Sequence, residues 1–137
     1  MLLFPILIFP LSSVDGIEKA KECLRTARAY GVNLFDNAEV YGTPYGEAER
    51  IMGLAIEQLA VENPELWRRS DILITTKLFW GGKGGVNEFG LSRKHISEGV
   101  DSSLARLKVS YVDLLFCHRP GKRTAPNHSL LLFPVSL

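Results

Sequence analysis

Cysteine is scarce in this chain of 137 residues, which has only Cys23 and Cys117. The two lie far apart and form neither the closely spaced pairs of a metal site nor a redox pair. We therefore predict no bound metal and expect two buried thiols in a reducing compartment, with the cytoplasm as the expected location. A disulfide is the less favoured alternative. The sequence also has no Gly-x-Gly-x-x-Gly motif and no obvious internal repeat.

Neither sign of charge dominates, because 16 basic residues face 15 acidic ones and the net charge is +1. That balance gives no reason to expect nucleic acid or an acidic membrane surface as the main partner. No apolar run is long enough to span a bilayer. The hydrophobic fraction of 46% and the charged fraction of 23% are those of an ordinary soluble protein, and the length suits one modest domain.

The first segment, Met1–Leu11, contains only apolar residues and proline. It has no basic segment before it, Pro5 and Pro10 interrupt it, and no clean small-x-small cleavage site follows. A signal peptide is therefore the weaker interpretation. The stronger one is a strand, or a flank that is foreign to the rest of the domain.

From Val14 onward the sequence alternates between helical and strand patterns. Apolar residues spaced by three or four positions predict helices over Gly16–Tyr30, over Gly46–Val61 and from Ser92 to about Leu107. Their apolar faces are Ile17, Ala20, Leu24 and Ala27 in the first, Ala48, Met52, Ala55 and Leu59 in the second, and Ile96, Val100, Leu104 and Leu107 in the third. Short β-rich runs predict three strands, over Val32–Phe35, Asp71–Thr76 and Tyr111–Cys117.

Turn and capping residues mark the ends of these helices. Gly31 is placed to end the first helix, and Ser92 to cap the third. Thr43 and Pro44 are predicted to start the second helix as its N-cap and first-turn proline. The resulting alternation favours an α/β fold with parallel strands and right-handed crossovers, but it does not distinguish an open doubly wound sheet from a barrel.

Polar residues follow the three predicted strands at matching places. Asp36 closes the first, Lys77 the second and His118 the third, and Tyr41 lies five residues past Asp36. The carboxyl ends of parallel strands share one rim, where active sites are built. Taken singly, each residue has an ordinary explanation as a turn aspartate, a solvated lysine, a loop histidine or a packed tyrosine. Their coincidence at one rim favours a catalytic group.

The chemistry that this group can perform is proton donation to a carbonyl. A tyrosine hydroxyl is a poor acid at neutral pH, and a nearby ammonium stabilises its phenolate. Lys77 can supply that ammonium, and Asp36 can hold Lys77 as an ion pair. His118 can hydrogen-bond the carbonyl oxygen of a substrate and aim it at Tyr41. A nicotinamide must then bring the hydride.

Three linked segments resemble the motifs of the aldo-keto reductase superfamily. They are Gly31–Gly42 (GVNLFDNAEVYG), Asp71–Lys77 (DILITTK) and Tyr111–His118 (YVDLLFCH). Two more, Phe79–Gly82 and Gly90–Ile96, are similar to the branch that holds the potassium-channel β subunits and their plant and microbial relatives.

The resemblance implies a (β/α)₈ barrel and NADPH-dependent reduction of aldehydes and ketones. It makes Tyr41 the proton donor, Lys77 the residue that tunes it, Asp36 the partner of Lys77, and His118 the residue that orients the substrate. Asp36 and His118 would also lie against the nicotinamide. Animal channel β subunits commonly have Asn where this sequence has His118, so His118 favours the catalytic relatives.

The resemblance covers residues 14–120, between an apolar flank (1–13) and a tail (121–137) that match nothing in the family. A complete barrel takes ~250 residues, so we expect a partial barrel of three to four βα units, with low stability and a tendency to self-associate. The later part of the family's barrel holds most of the phosphate-binding site, and Gly81–Gly85 is interpreted here as a substrate loop. A channel-regulating protein, or an inactive product of truncation, splicing or gene misassembly, are the alternatives.

Overall fold

A computed structural model describes residues 3–5, 13–82 and 84–121. Strands and helices alternate along this part of the chain. The strands are β1 (Leu3–Pro5), β2 (Leu34–Asp36), β3 (Leu73–Leu78) and β4 (Leu114–Cys117), and the α-helices are α1 (Ser13–Ala29), α2 (Glu47–Glu62) and α3 (Arg93–Leu107). Except for residue 121, the predicted foreign tail lies outside the described residues.

The four strands form one sheet in which every neighbouring pair is parallel. The prediction of parallel strands joined by helices is therefore confirmed, and the strand interpretation of the N-terminal run holds for Leu3–Pro5. Each strand lies beside the one that precedes it in the chain. Among the described strands, the order thus lacks the reversal at which a doubly wound sheet changes direction.

One hydrophobic core joins all three helices to the sheet. Its strand contributions include Phe35 and Ile74, which are fully buried, and Trp67 stacks on Phe35 with 6.0 Å between ring centroids. The predicted apolar faces of the helices are confirmed. Their members in this core are Ile17, Ala20, Leu24, Ala27, Met52, Ala55, Leu59, Ile96, Val100, Leu104 and Leu107, and Ala48 is also buried.

The backbone requires glycine at two positions, one at the end of α1 and one where α2 and α3 touch. Gly31 has a φ of 82° and ends α1, as its position predicts. Gly53 lies where α2 crosses the end of α3, and a Cβ there would stand 2.5 Å from the carbonyl oxygen of Leu107. The two helices can therefore approach this closely only at a glycine.

Of the two predicted helix N-caps, Ser92 and Thr43, only Ser92 is confirmed. Ser92 caps α3, because its side chain accepts a hydrogen bond from the backbone N–H of His95 at 3.1 Å. The prediction that Thr43 and Pro44 start α2 is wrong. The helix begins at Glu47, three residues later, and its N-cap residue makes no side-chain cap bond.

The cysteines also depart from the expectation. Both are free thiols, but Cys23 is exposed and Cys117 is only half-buried, so the prediction of two buried thiols is wrong. Cys23 precedes the buried Leu24 on α1 and points away from the apolar face. Among residues 13–82 and 84–121, no helix has the length and apolar character that crossing a membrane requires.

Candidate active site

Three of the four predicted site residues, Asp36, Lys77 and His118, lie on the face of the sheet opposite the helices. Alternate residues of a strand point to opposite faces, so Phe35, Ile74 and Leu115 pack into the helix-covered core. Their neighbours line a cavity of about 370 Å³ on the other face. These lining residues are Leu34, Asp36, Thr75, Lys77, Leu114, Phe116, Cys117 and His118.

The register of the strands staggers the polar residues by two positions at each step. Asp36 is the partner of Thr75, two residues before Lys77. Lys77 is in turn the partner of Phe116, two residues before His118. A shift of two residues along a strand keeps a side chain on the same face of the sheet. Asp36, Lys77 and His118 therefore lie on one face, along a diagonal across the three strands, and form one wall of the cavity.

Asp36 and Lys77 form an ion pair, and each of the two also makes a hydrogen bond to another residue of the chain. The Lys77 ammonium lies 2.5 Å from a carboxylate oxygen of Asp36 and donates to the carbonyl oxygen of Asn37 at 2.6 Å. The second carboxylate oxygen of Asp36 accepts from the Thr75 hydroxyl at 2.6 Å. Both side chains are largely buried. The pair is therefore fixed in one geometry.

Tyr41 lies beside this pair, in the loop that follows β2. The Lys77 ammonium is 5.2 Å from the centroid of its ring. Its carbonyl oxygen accepts from the N–H of Ala48 at 3.1 Å, which ties the loop to the first turn of α2. This hydrogen bond satisfies a backbone amide in the first turn of α2, which is the role that Thr43 was predicted to have as the N-cap. A Cβ on Gly42 would stand 2.7 Å from the same Ala48 nitrogen, so the approach requires glycine.

His118 follows β4 directly, and its backbone N–H donates to the Leu78 carbonyl at 3.0 Å. Its ring meets the Tyr41 ring edge-on, with 5.8 Å between centroids and an interplanar angle of 89°. Burial lowers the pKa of His118, and the positive charges of Lys77 and Arg119 lower it further. The imidazole is therefore held neutral. Its Nδ1 is buried and has no hydrogen-bond partner within the described part of the chain.

An aromatic cluster borders the site beyond β3. Trp80 packs edge-on against Phe79 and Phe89, with centroid distances of 5.1 Å and 5.8 Å. The Trp80 ring also meets His118 at 6.5 Å. Trp80 is 41% exposed, so part of its ring remains open to solvent beside the site. We call these three rings the aromatic wall.

Three residues that support the site were not predicted from the sequence. Thr75 holds Asp36, Asn37 holds Lys77 through its carbonyl, and Glu39 accepts hydrogen bonds from the segment that carries Trp80. Thr75 could have been found, because it precedes Lys77 by two residues and so shares its face. The signal for Glu39 was its place within the motif from Asp36 to Tyr41.

The structure thus brings together all four residues that the sequence singled out. Asp36 touches Lys77, Lys77 lies near the Tyr41 ring, and Tyr41 lies against His118. An ammonium near a phenol and a neutral imidazole beside the same ring form a group that can donate a proton and orient its acceptor.

Comparisons with known proteins agree with this geometry. The family model of the aldo/keto reductases matches residues 16–132. A probable voltage-gated potassium channel subunit beta from Arabidopsis thaliana is 56% identical over 108 residues, and one from Oryza sativa subsp. japonica is 53% identical over the same length. Each alignment covers 79% of this chain but 30% of the relative, so the chain spans about a third of these relatives. The resemblance to the branch of potassium-channel β subunits is confirmed, whereas the domain boundaries at residues 13 and 120 stay predictions. Because the family model matches well over half of its residues, the chain belongs to the aldo/keto reductase family.

Proposed function

We propose that this chain carries the proton-donating part of an NADPH-dependent reductase of aldehydes and ketones. The observation that supports this is the position of the Tyr41 ring, which lies 5.2 Å from the Lys77 ammonium and edge-on to His118. Such a ring has its stabilising charge on one side and a hydrogen-bonding imidazole on another. These are the groups that protonation of a carbonyl oxygen requires.

Each of the four residues has a distinct role in this proposal. Tyr41 gives its hydroxyl proton to the carbonyl oxygen of the substrate, and the Lys77 ammonium stabilises the phenolate that is left. Asp36 holds Lys77 in place. His118 donates a hydrogen bond from one ring nitrogen to the same carbonyl oxygen, which its neutral form can do. The depressed pKa of His118 keeps that form at neutral pH.

The residues beside the cavity fit the nicotinamide end of the cofactor. Leu34, Leu114 and Phe116 supply apolar surface for a flat ring, while Asp36 and His118 offer polar contacts to its amide. A bound nicotinamide supplies the hydride to the carbonyl carbon. We place the phosphate-binding part of the site outside the described residues.

We further propose that the sheet is part of a (β/α)₈ barrel. The sequential parallel order of β1 to β4 and the single helix-covered face support this. In a barrel the cavity face becomes the interior, and His118 and Asp36 lie at its catalytic rim.

A second candidate is a cofactor-sensing subunit of a membrane channel. The two plant relatives are named as probable potassium channel β subunits, which supports a channel protein as partner. His118 can serve this function as well, since cofactor binding does not require turnover. The cytoplasmic location and the tendency to self-associate stay predictions from the sequence.

The proposal is tested by NADPH binding and aldehyde turnover with the purified chain. Binding should quench or shift NADPH fluorescence, and turnover should oxidise it. Tyr41→Phe should lower turnover by about 10²–10⁴-fold, because the proton donor is lost, while cofactor binding persists. Tyr30→Phe, at an exposed tyrosine at the end of α1, is the matched control and should keep full activity.

Three other outcomes separate the alternatives. Unchanged turnover in Tyr41→Phe would refute the assigned acid. Binding without turnover, together with co-purification of a channel protein, would favour the second candidate. No binding at high micromolar NADPH would contradict both functions for this chain.

A further inference from the structure

Glu39 is a buried carboxylate that none of the proposed catalytic roles uses. Its residue is 3% exposed, and it lies in the loop after β2, two positions before Tyr41. We infer that Glu39 is a positioning residue that fixes the turn Phe79–Gly81, and through it the Trp80 ring beside His118. The inference rests on the proposed function only in treating the aromatic wall as part of the substrate site.

The contacts of the carboxylate bracket Trp80 on both sides. One oxygen of Glu39 accepts from the N–H of Phe79 at 2.6 Å and from the N–H of Gly81 at 3.1 Å. Hydrogen bonds to an ionised acceptor are the stronger kind. Because the residues before and after Trp80 are both held by one oxygen, the backbone at Trp80 has little freedom to rotate.

The backbone of Glu39 is itself anchored to the catalytic strand. Its N–H donates to the carbonyl oxygen of Lys77 at 3.1 Å. The side chain also has the ring of the buried His95 nearby, with 3.5 Å from the same carboxylate oxygen to His95 Nε2. Glu39 therefore joins the loop that carries Tyr41 to the loop that carries Trp80.

The turn is closed from its other side as well. The N–H of Gly90 donates to the carbonyl of Phe79 at 2.7 Å. Gly81 has a φ of 67°, and a Cβ there would stand 1.6 Å from the carbonyl oxygen of Glu88. The segment is thus held between Glu39 and the Glu88–Gly90 backbone, and only glycine fits at its end.

Fluorescence of Trp80 tests the inference without any need for turnover. The chain has two tryptophans, Trp67 and Trp80, so Trp67→Phe leaves Trp80 as the only reporter. In that background, Glu39→Ala should raise the acrylamide quenching constant of Trp80 toward the value of free N-acetyltryptophanamide. Glu39→Gln keeps an oxygen acceptor in place, so it should raise the constant less.

The matched control is Glu49→Gln, again in the Trp67→Phe background. Glu49 is another fully buried carboxylate, but its partners are Thr76 and Arg106 and not the turn. The Glu49→Gln variant should be less stable than its Trp67→Phe parent, but its acrylamide quenching constant for Trp80 should be unchanged. Unchanged quenching in Glu39→Ala, or an equal rise in Glu49→Gln, would overturn the inference.

Amide hydrogen exchange in the unmodified chain provides a second measurement, which holds even if the Glu39 variants fail to fold. The amides of Phe79 and Gly81 should exchange more slowly than that of the exposed Val86. Exchange as fast as that of Val86 at both positions would overturn the inference. Neither measurement depends on NADPH or aldehyde, so a failed turnover assay leaves them interpretable.

Discussion

The two sides of the candidate site are built differently. On the β2–β3 side, Asp36 and Lys77 lie between strands whose residues are mostly buried, and each charged atom of the pair has a partner. On the β4 side, the strand is half-buried or exposed along its length, and His118 Nδ1 has no partner among the described residues. Phe116 of β4 is 36% exposed.

The difference follows from the position of each strand in the sheet. β3 has a strand on both sides, while β4 has a neighbour on one side only within the described part of the chain. The helices α2 and α3 cover β3 from the core side. The acid-stabilising pair is therefore fixed by local packing, whereas the orienting imidazole is fixed mainly by Leu78, Tyr41 and Trp80.

The largest expected effect is on packing. Ile74 of β3 is fully buried, so Ile74→Ala should lower the free energy of unfolding by roughly 2–5 kcal/mol. Phe116→Ala on β4 removes a side chain that is partly in solvent, and it should cost less than about 2 kcal/mol. Urea denaturation of both variants measures the contrast. Equal losses would show that β4 is as well packed as β3.

A smaller effect is expected from the ion pair. Lys77→Met leaves the Asp36 carboxylate with the Thr75 hydroxyl as its remaining side-chain partner among the described residues. Because the pair is partly exposed, we expect the free energy of unfolding to fall by about 2 kcal/mol. Lys108→Met is the control, because Lys108 pairs with Glu57 at the exposed surface. It should change stability by less than about 0.5 kcal/mol. A comparable loss in both variants would contradict a buried, structurally important pair.

The smallest expected effect is on the titration of His118. Its pKa lies below the ordinary value of 6.5 through burial first and then the charges of Lys77 and Arg119. Removing one of those charges in Lys77→Met should raise the pKa of His118, which NMR of the ring protons measures. Lys108→Met should leave it unchanged. A pKa that does not rise would show that the Lys77 charge does not reach His118.

The same depressed pKa predicts how stability depends on pH. Between the folded pKa of His118 and the unfolded value near 6.5, the unfolded state binds more protons. The contribution of neutral His118 is therefore complete above that unfolded value and is lost as pH falls through the folded one. His118→Asn should flatten the loss of stability in this window, as measured by denaturation at several pH values.

Much of the fold could be predicted because its signals are local. The apolar periodicity of α1, α2 and α3 predicts their buried faces, and Gly31 and Ser92 mark helix ends through their own conformation and side chain. The start of α2 could not be predicted in this way. Within its first turn, the amide of Ala48 donates to the carbonyl of Tyr41, a contact that depends on how the preceding loop folds back.

The residues of the candidate site likewise fall into two groups, those that local signals predict and those that depend on tertiary contacts. Asp36, Lys77 and His118 are readable from the sequence because strand ends of parallel units share a rim. Glu39 was not found, because its partners Phe79 and Gly81 are about 40 residues away and are backbone amides with no residue-type signal.

The sequence by itself determined the α/β alternation, the parallel strands, the three polar residues at the strand ends and Tyr41 in the loop after the first of them, since these depend on periodicity and on motif spacing. Only the tertiary structure decided the shift of two residues between β2, β3 and β4, and with it the distances that join Lys77 to Asp36 and Tyr41 to His118. Register is set by how helices pack across the sheet and by which side chains must share a face. Those constraints act between residues far apart in the chain, so they leave little trace in any one segment.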